Sequence, residues 1–421
     1  MKKPQGLGRR RRGGHNPRTR ARRVVVATRV FAPDAGAAAH RWTAWTRQLA
    51  SRARSVTVLT TKPAHSGTML LPRNVSVSRW PVLRDKDGSV RGYLPYLSFD
   101  IPLFFRLLSG RRPDVVLCEP PPTTGAVTRV ACFFRRVPYI YCAVDLLGPA
   151  AAASGVNRAV VKIVSALERF ALRGAAEVLA VSPAVAQEVE RYTKRPPTIV
   201  PHSVEESEPK TQCAALPWPS TDGPVFLYSG TVTEWMGADI FLEAAPTVFE
   251  RFPSALLVFM GQGTGWDALQ DAVDRLNDPR VICSSARSAS DARIYEAAAT
   301  VTLAALKPGP YDFAYTTKVL TSLSAGTPVV YAGVGPAAED IRNASLGTVT
   351  SFDPEEVANA MIFVARNVLS GSPDFRSERL KEWVRNHRSA DQVGEELWGV
   401  LEKAVAAHRR KRTRSSALRR S

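Results

Sequence analysis

Thr316-Thr317-Lys318 sets two hydroxyls and a lysine ahead of Val319-Leu320, and the apolar run that follows is stopped at Gly326. This pattern predicts a helix over Thr317–Ala325, with glycine just past its end. A cation in a first helical turn opposes the helix dipole unless it has a partner. Lys318 therefore reads as a residue facing an anion, and its plain alternative is an ordinary solvated lysine. Glycines stand where such an anion would need bare backbone. Gly36 follows the first apolar run, Gly230 follows a later one and precedes Thr231, and Gly261 and Gly263 follow a third. Small residues there let a diphosphate approach backbone N–H groups at a helix start. A tight strand-to-helix turn asks for glycine as well, so both readings stand for each position. The five cysteines are scattered and form no C-x-x-C pair. They suggest neither a disulfide framework nor a zinc site, but small buried hydrophobes in a reducing compartment.

The elements that must carry these residues alternate. Val24–Thr28, Ser55–Thr60, Asp114–Cys118, Pro138–Val144, Glu177–Val181 and Thr198–Val200 are short β-branched or apolar runs. Such runs suit strands buried on both faces of a parallel sheet. Between them, His40–Arg52, Thr124–Phe134, Asn157–Arg173 and Pro183–Tyr192 show helical periodicity, with Ser182 as a cap for the last. The polar, proline-bearing stretch 205–223 is the linker candidate. The alternation then restarts with strands at Val225–Ser229, Ala255–Met260, Val281–Cys283, Val301–Leu303 and Thr327–Tyr331, and Phe375–Ala407 is mostly helical. The expectation is an α/β chain of two Rossmann-like, doubly wound domains facing each other across a cleft. The divisions are a tail 1–23, a first domain 24–204, the linker 205–223, a second domain 224–402 carrying the C-terminal helices, and a tail 403–421.

The 421 residues carry a formal net charge of +19. Ten Lys and Arg fall within 1–23 and eight from Lys403 onward, with no acid in either stretch, so the body is left near +1. Segments of this kind are expected to be disordered. Their candidate partner is an anionic membrane surface; a nucleic-acid partner ranks below it, and a merely solubilising role is the plain alternative. No apolar run reaches the ~18 residues that span a bilayer. With no cleavage-site pattern behind the basic start, the protein is expected in the cytoplasm, peripheral at the inner face of the membrane.

The first loop, with Phe31, Pro33, Gly36 and Arg41, resembles the Phe-x-Pro-x-x-Gly-x-x-x-x-Arg pattern of GT-B glycosyltransferases of the family 4 type. Thr316-Thr-Lys-Val-Leu-Thr-Ser-Leu-Ser-Ala-Gly326 resembles that family's Pro-Ser-Lys-x-x-Glu-Tyr-x-Ala-x-Gly helix. Asp145 with Pro149, Ala180-Val-Ser182 and Pro201-His-Ser-Val204 are similar to further family segments, and the similarity spans Val24 to Glu402. The bacterial subgroup of fucosamine-transferase-like enzymes of surface polysaccharide synthesis is especially similar.

The resemblance implies transfer of a sugar, with its anomeric configuration retained, from a nucleotide-sugar in the second domain to a glycan or lipid-linked acceptor in the first. It implies no metal and no cofactor beyond the nucleotide-sugar co-substrate. Carried over, Asp145 would be the catalytic residue. Gly36, Gly230, Thr231, Thr317, Lys318, Thr321 and Glu339 would bind the donor, and His40 and Arg41 the acceptor. The chain departs from the family where Phe313 and Thr321 replace two glutamates, and where the Gly230 loop offers Glu234 and no base. A non-catalytic GT-B protein that binds a nucleotide or partner is therefore the alternative.

Overall fold

The computed structural model describes residues 22–34, 37–63, 69–84, 90, 92–144, 146, 148, 157–193, 195–204, 215–285, 289–309 and 311–418. Residues 1–21 of the first tail, residues 205–214 of the linker, Gly36, Asp145 and Pro149 lie outside them.

Seven strands make the first sheet: β1 Arg23–Ala27, β2 Ser55–Thr61, β3 Val75–Trp80, β4 Val115–Cys118, β5 Tyr139–Ala143, β6 Glu177–Ala180 and β7 Thr198–Ile199. Their order is β3-β2-β1-β4-β5-β6-β7, all parallel. Central β1 sets Val26 between Val58 and Leu117 on one face of the ribbon, and the next row, Ala27 between Leu59 and Cys118, buries the other. Helix α1 (Ala37–Ala50) lays Trp42, Trp45 and Leu49 on one face. Helices α2 (Tyr93–Ser109), α3 (Pro122–Arg135), α4 (Arg158–Gly174) and α5 (Pro183–Glu190) cover the other, through side chains such as Phe99, Ala131, Leu172 and Val185.

The second sheet has six parallel strands: β8 Val225–Thr231, β9 Leu256–Gln262, β10 Val281–Ser285, β11 Val301–Leu306, β12 Val329–Gly333 and β13 Gly347–Thr350. Their order is β10-β9-β8-β11-β12-β13. Around it run α6 Asp239–Arg251, α7 Trp266–Leu276, α8 Ala289–Ala298, α9 Lys318–Ala325, α10 Pro336–Ala344, α11 Pro354–Leu369 and α12 Ser377–His387. In each sheet the chain reverses its direction of winding beside the first strand, between β1 and β4 and between β8 and β11. Ligands of doubly wound sheets bind outside the carboxyl ends of the strands at this switch point.

The sequence reading is corrected at the C-terminal side. Helix α13 runs Ala390–Leu418, so Lys403 to Leu418 is helix and not the disordered tail expected there. Nor does α13 stay with the second sheet. Val393, Leu397, Leu401, Ala404 and Val405 are buried against Trp42 and Trp45 on the first domain. The helical spacing of these apolar residues carries the stripe past Lys403, and packing outweighs the repulsion among cations that point outward. Polar contacts fix the docking. Arg22 donates to both oxygens of Glu402 at 2.8 and 2.9 Å, and Gln48 donates to Asp391 at 2.7 Å. Arg22 and Arg23, counted with the first tail, are thus an ordered residue and the start of β1. The end of the linker is also ordered: Trp218 is buried against Tyr295 and Leu227 of the second domain.

Candidate functional site

At the carboxyl end of β8 the backbone turns through Gly230 at φ +123°, a region that side chains avoid. A Cβ on neighbouring Gly261 would overlap the Gly230 carbonyl oxygen, so β8 and β9 finish in close backbone contact. The chain therefore presents bare backbone at the switch point, flanked by the start of α9.

Lys318 reaches into this place from the first residue of α9. Its ammonium lies 3.6 Å from the ring centroid of Tyr228 and donates to the Thr231 carbonyl at 3.2 Å. The aliphatic stem passes beside Gly230, where a Cβ would touch it at 3.6 Å. Gly230, Thr231 and Lys318 are thus brought together. Burial pushes the Lys318 ammonium down from its ordinary 10.5 to about 7, against the opposing pull of Glu296.

Glu296, near the end of α8, was not singled out from sequence. Its carboxyl is buried, and one oxygen accepts from Thr321 Oγ1 at 3.0 Å. The other, Oε2, is buried without a hydrogen bond among the described residues. Burial raises the Glu296 carboxyl to about 7, although Thr321, Arg293, Ser229 and Lys318 all favour its charged form. Thr321 Oγ1 also lies 3.0 Å from the Lys318 carbonyl of its own helix, and its bond with Glu296 ties α9 to α8. Where the family pattern has a glutamate on α9, this chain has a threonine holding a carboxyl that arrives from α8. Nothing local in the sequence announces this pair, since its members are 25 residues apart.

Other predicted positions are placed as follows. Thr317 precedes α9 without a side-chain capping bond. Glu339 is exposed in the first turn of α10 and forms no hydrogen bond or ion pair with Lys318 among the described residues. Glu234 is exposed, and the Gly230 loop acquires a neighbouring base from the residue after β11 instead. Lys307 donates its backbone N–H to Trp235, and its side chain packs against Gly237 and pairs with Asp239 at 3.5 Å. Phe313 packs against the core of the first domain.

On the first domain, His40 is exposed in α1, whereas Arg41 is buried. Arg41 donates to Glu119 Oε2 at 2.5 Å, and Thr28 donates to Glu119 Oε1 at 2.5 Å. This closed trio joins the carboxyl ends of β1 and β4 at the first switch point. His202, buried at the seam between the domains, has its ring 5.5 Å from that of Tyr315. Burial, with Arg41 and Arg388 nearby, holds its imidazole neutral, down to about 3. Tyr315 donates to Asp340 at 2.7 Å, and Arg388 donates to both oxygens of Asp340 at 3.0 and 2.7 Å.

A cation, a protonatable carboxyl and bare backbone at a sheet switch point can receive a phosphate-bearing ligand. Comparison with known proteins agrees with this equipment. Residues 36–203 match the glycosyl transferase 4-like domain, and residues 223–367 match the glycosyl transferases group 1 domain. The chain carries the paired domains of a GT-B glycosyltransferase. No curated protein matches it by sequence. Among solved structures, this glycosyltransferase resembles sucrose-phosphate synthase of Thermosynechococcus elongatus, with a TM-score of 0.68, 16% identity, and coverage of 92% of this chain and 100% of the other. Anabaena HepE, solved with UDP and glucose, gives a TM-score of 0.64 at 16% identity, with 90% of this chain and 99% of the other covered. WaaG, a glycosyltransferase of lipopolysaccharide biosynthesis, gives 0.66 at 16% identity, with 90% and 99% covered. At these identities the likeness concerns the fold.

Proposed function

We propose that this glycosyltransferase moves a hexosyl or related sugar from a nucleotide-sugar to a lipid-linked or cell-envelope glycan, with retention of anomeric configuration and without a metal. The proposed place is surface polysaccharide synthesis of the fucosamine-transferase-like kind, on the cytoplasmic face of a membrane. The single observation that carries the reading is Lys318, held beneath Tyr228 against the bare backbone of Gly230 and Thr231. In this reading the bond between the anomeric carbon and the diphosphate breaks, and the acceptor hydroxyl's oxygen bonds that carbon on the same face while its proton passes to the departing diphosphate. Lys318 and backbone N–H groups meet the charge left on the departing diphosphate. Thr231, Thr317 and Glu296 line the donor side, with Glu339 at its margin. Gly36 would approach the diphosphate from the first domain, Asp145 would attend the transferring sugar, and His40 and Arg41 would border the acceptor. The basic segments would hold the enzyme to anionic lipid.

The test is thermal unfolding against a panel of nucleoside diphosphates and nucleotide-sugars. A ligand at 100 times its dissociation constant stabilises by about 2.7 kcal/mol. One nucleotide should raise the unfolding temperature, Lys318→Ala should abolish the shift, and added chelator should leave transfer intact. No shift with any nucleotide would defeat the proposal. A shift without transfer would favour the second reading, a nucleotide-binding protein without turnover, which the replacement of the family glutamates by Phe313 and Thr321 supports.

A further inference from the structure

Helices α2, α3 and α4 pack side by side on the first sheet and leave their outer faces uncovered. On α2, Leu94, Ile101 and Phe105 are 68, 55 and 61% exposed. On α3, Phe133 and Phe134 reach 78 and 65%, and Ile163 of α4 reaches 60%. Single exposed apolar residues are ordinary on a protein surface, but a patch shared by three adjacent helices marks a place of interaction.

The outward charge of the three helices has one sign. The three helices contain two acids, Asp100 and Glu168, and both are buried. Asp100 accepts from Thr124 at 2.6 Å, and Glu168 accepts from the Gly148 backbone at 3.0 Å, so neither faces outward. The cations do face outward or border the apolar stripe: Arg129, Arg135, Lys162, Arg169 and Arg173. Arg129 lies over the ring of Phe170 at 4.0 Å, which sets a guanidinium directly on the apolar surface. At the amino edge of the sheet the patch runs into a groove of 1710 Å³, lined by Phe133 and Phe134 and by Arg409, Lys411 and Arg412 of α13. His408 contacts the Arg136 carbonyl at 3.0 Å and Arg409 pairs with Asp114 at 3.3 Å, which hold that end of α13 beside the patch.

We propose that the α2–α4 face, joined by the end of α13, docks on an anionic lipid bilayer. Aromatic and aliphatic side chains enter the headgroup boundary, and the surrounding cations meet lipid phosphates, the arrangement of an interfacial helix repeated over three helices. A bilayer is favoured over an acidic protein because apolar side chains stand exposed on three adjacent helices, accompanied by cations and by no outward-facing acid of those helices. The docking uses folded helices, separate from the basic segment 1–21, and it holds whether or not the protein transfers sugar.

The test is flotation of the full chain with vesicles of phosphatidylcholine alone and of phosphatidylcholine mixed with phosphatidylglycerol. Wild type should float with the anionic vesicles and stay behind with the neutral ones. The triple variant Phe105→Ser, Phe133→Ser, Phe134→Ser keeps every charge and should bind the anionic vesicles at least ~10-fold more weakly, given the transfer cost of large apolar side chains. Leu94→Ser with Ile101→Ser, at the other end of the patch, should act in the same direction. Both should keep the wild-type unfolding temperature and nucleotide shift, because the replaced side chains are exposed. Undiminished binding by both variants would assign attachment to the terminal cations and overturn the proposal. So would failure of wild type to bind anionic vesicles, or a dimer in solution that the triple variant dissociates and vesicles do not.

Discussion

Lys318 carries its charge only part of the time near neutral pH, because burial has brought its ammonium to about 7. Glu296 titrates in the same range, pushed up to about 7. As pH rises through this range the pair passes from one net positive charge toward one net negative charge, whichever proton leaves first. Affinity for a nucleoside diphosphate should therefore fall with rising pH. Above pH 7 the dissociation constant should climb about tenfold per pH unit for each of these protons that binding requires. Calorimetric titration at three pH values around neutrality reads this directly. Lys318→Arg should reduce the climb to the share due to Glu296, since a guanidinium does not deprotonate there; an unchanged slope in that variant would remove Lys318 from the binding event. The sequence made Gly230 and Lys318 legible because their signals are local: a glycine closing a strand and a cation opening a helix. Glu296 and Glu119 were not legible. Each gains its meaning from a partner on another element, Thr321 for one and Arg41 with Thr28 for the other. Asp145 rests on the family resemblance alone, and Gly36 on that resemblance and its place after the first apolar run, because both lie outside the described residues.

Among the elements, α13 departs most from the sequence reading. Its periodicity was visible to Ala407, but periodicity says which face is buried and not against what. The structure buries Leu397 on the first domain with Trp42 and Trp45, although the chain reaches it from the second. Leu397→Ala should therefore cost about 2–5 kcal/mol, the usual range for truncating a core leucine. The loss should appear as a lower unfolding temperature by calorimetry, with nucleotide binding retained in the folded fraction, since Lys318 and Glu296 sit on other helices. Helix α2 escaped notice for a different reason. It carries Pro95 and Pro102, and its apolar residues are so frequent that no stripe stands out from the rest. The same frequency supplies both an inner face, Phe99 and Leu103, and the exposed one.

For the whole molecule, the two sheets are joined three ways: by the chain through the linker, by the seam where His202 meets Tyr315, and by α13. A protease site engineered into residues 205–214 should give a nicked protein that still elutes as one species in native buffer and separates in denaturant. Adding Leu397→Asp should let the halves part without denaturant, because it places a carboxylate in the apolar seat of α13. If the nicked wild type fell apart by itself, α13 would be an appendage and not a clasp. The two-domain α/β architecture was legible from alternating runs alone, since parallel strands buried on both faces leave a strong signal. The crossing of α13 was not, because sequence order placed it with its neighbour.

That crossing has a consequence for synthesis. The ribosome completes β1 to β7 long before it makes Leu397, which follows the end of the first sheet by nearly the whole second domain. At ~5–20 residues per second, the apolar face under Trp42 and Trp45 waits roughly 10–40 s for its cover. The first domain is the earliest to be translated and among the last parts to be finished, so during that interval the nascent chain offers a chaperone an open aromatic surface.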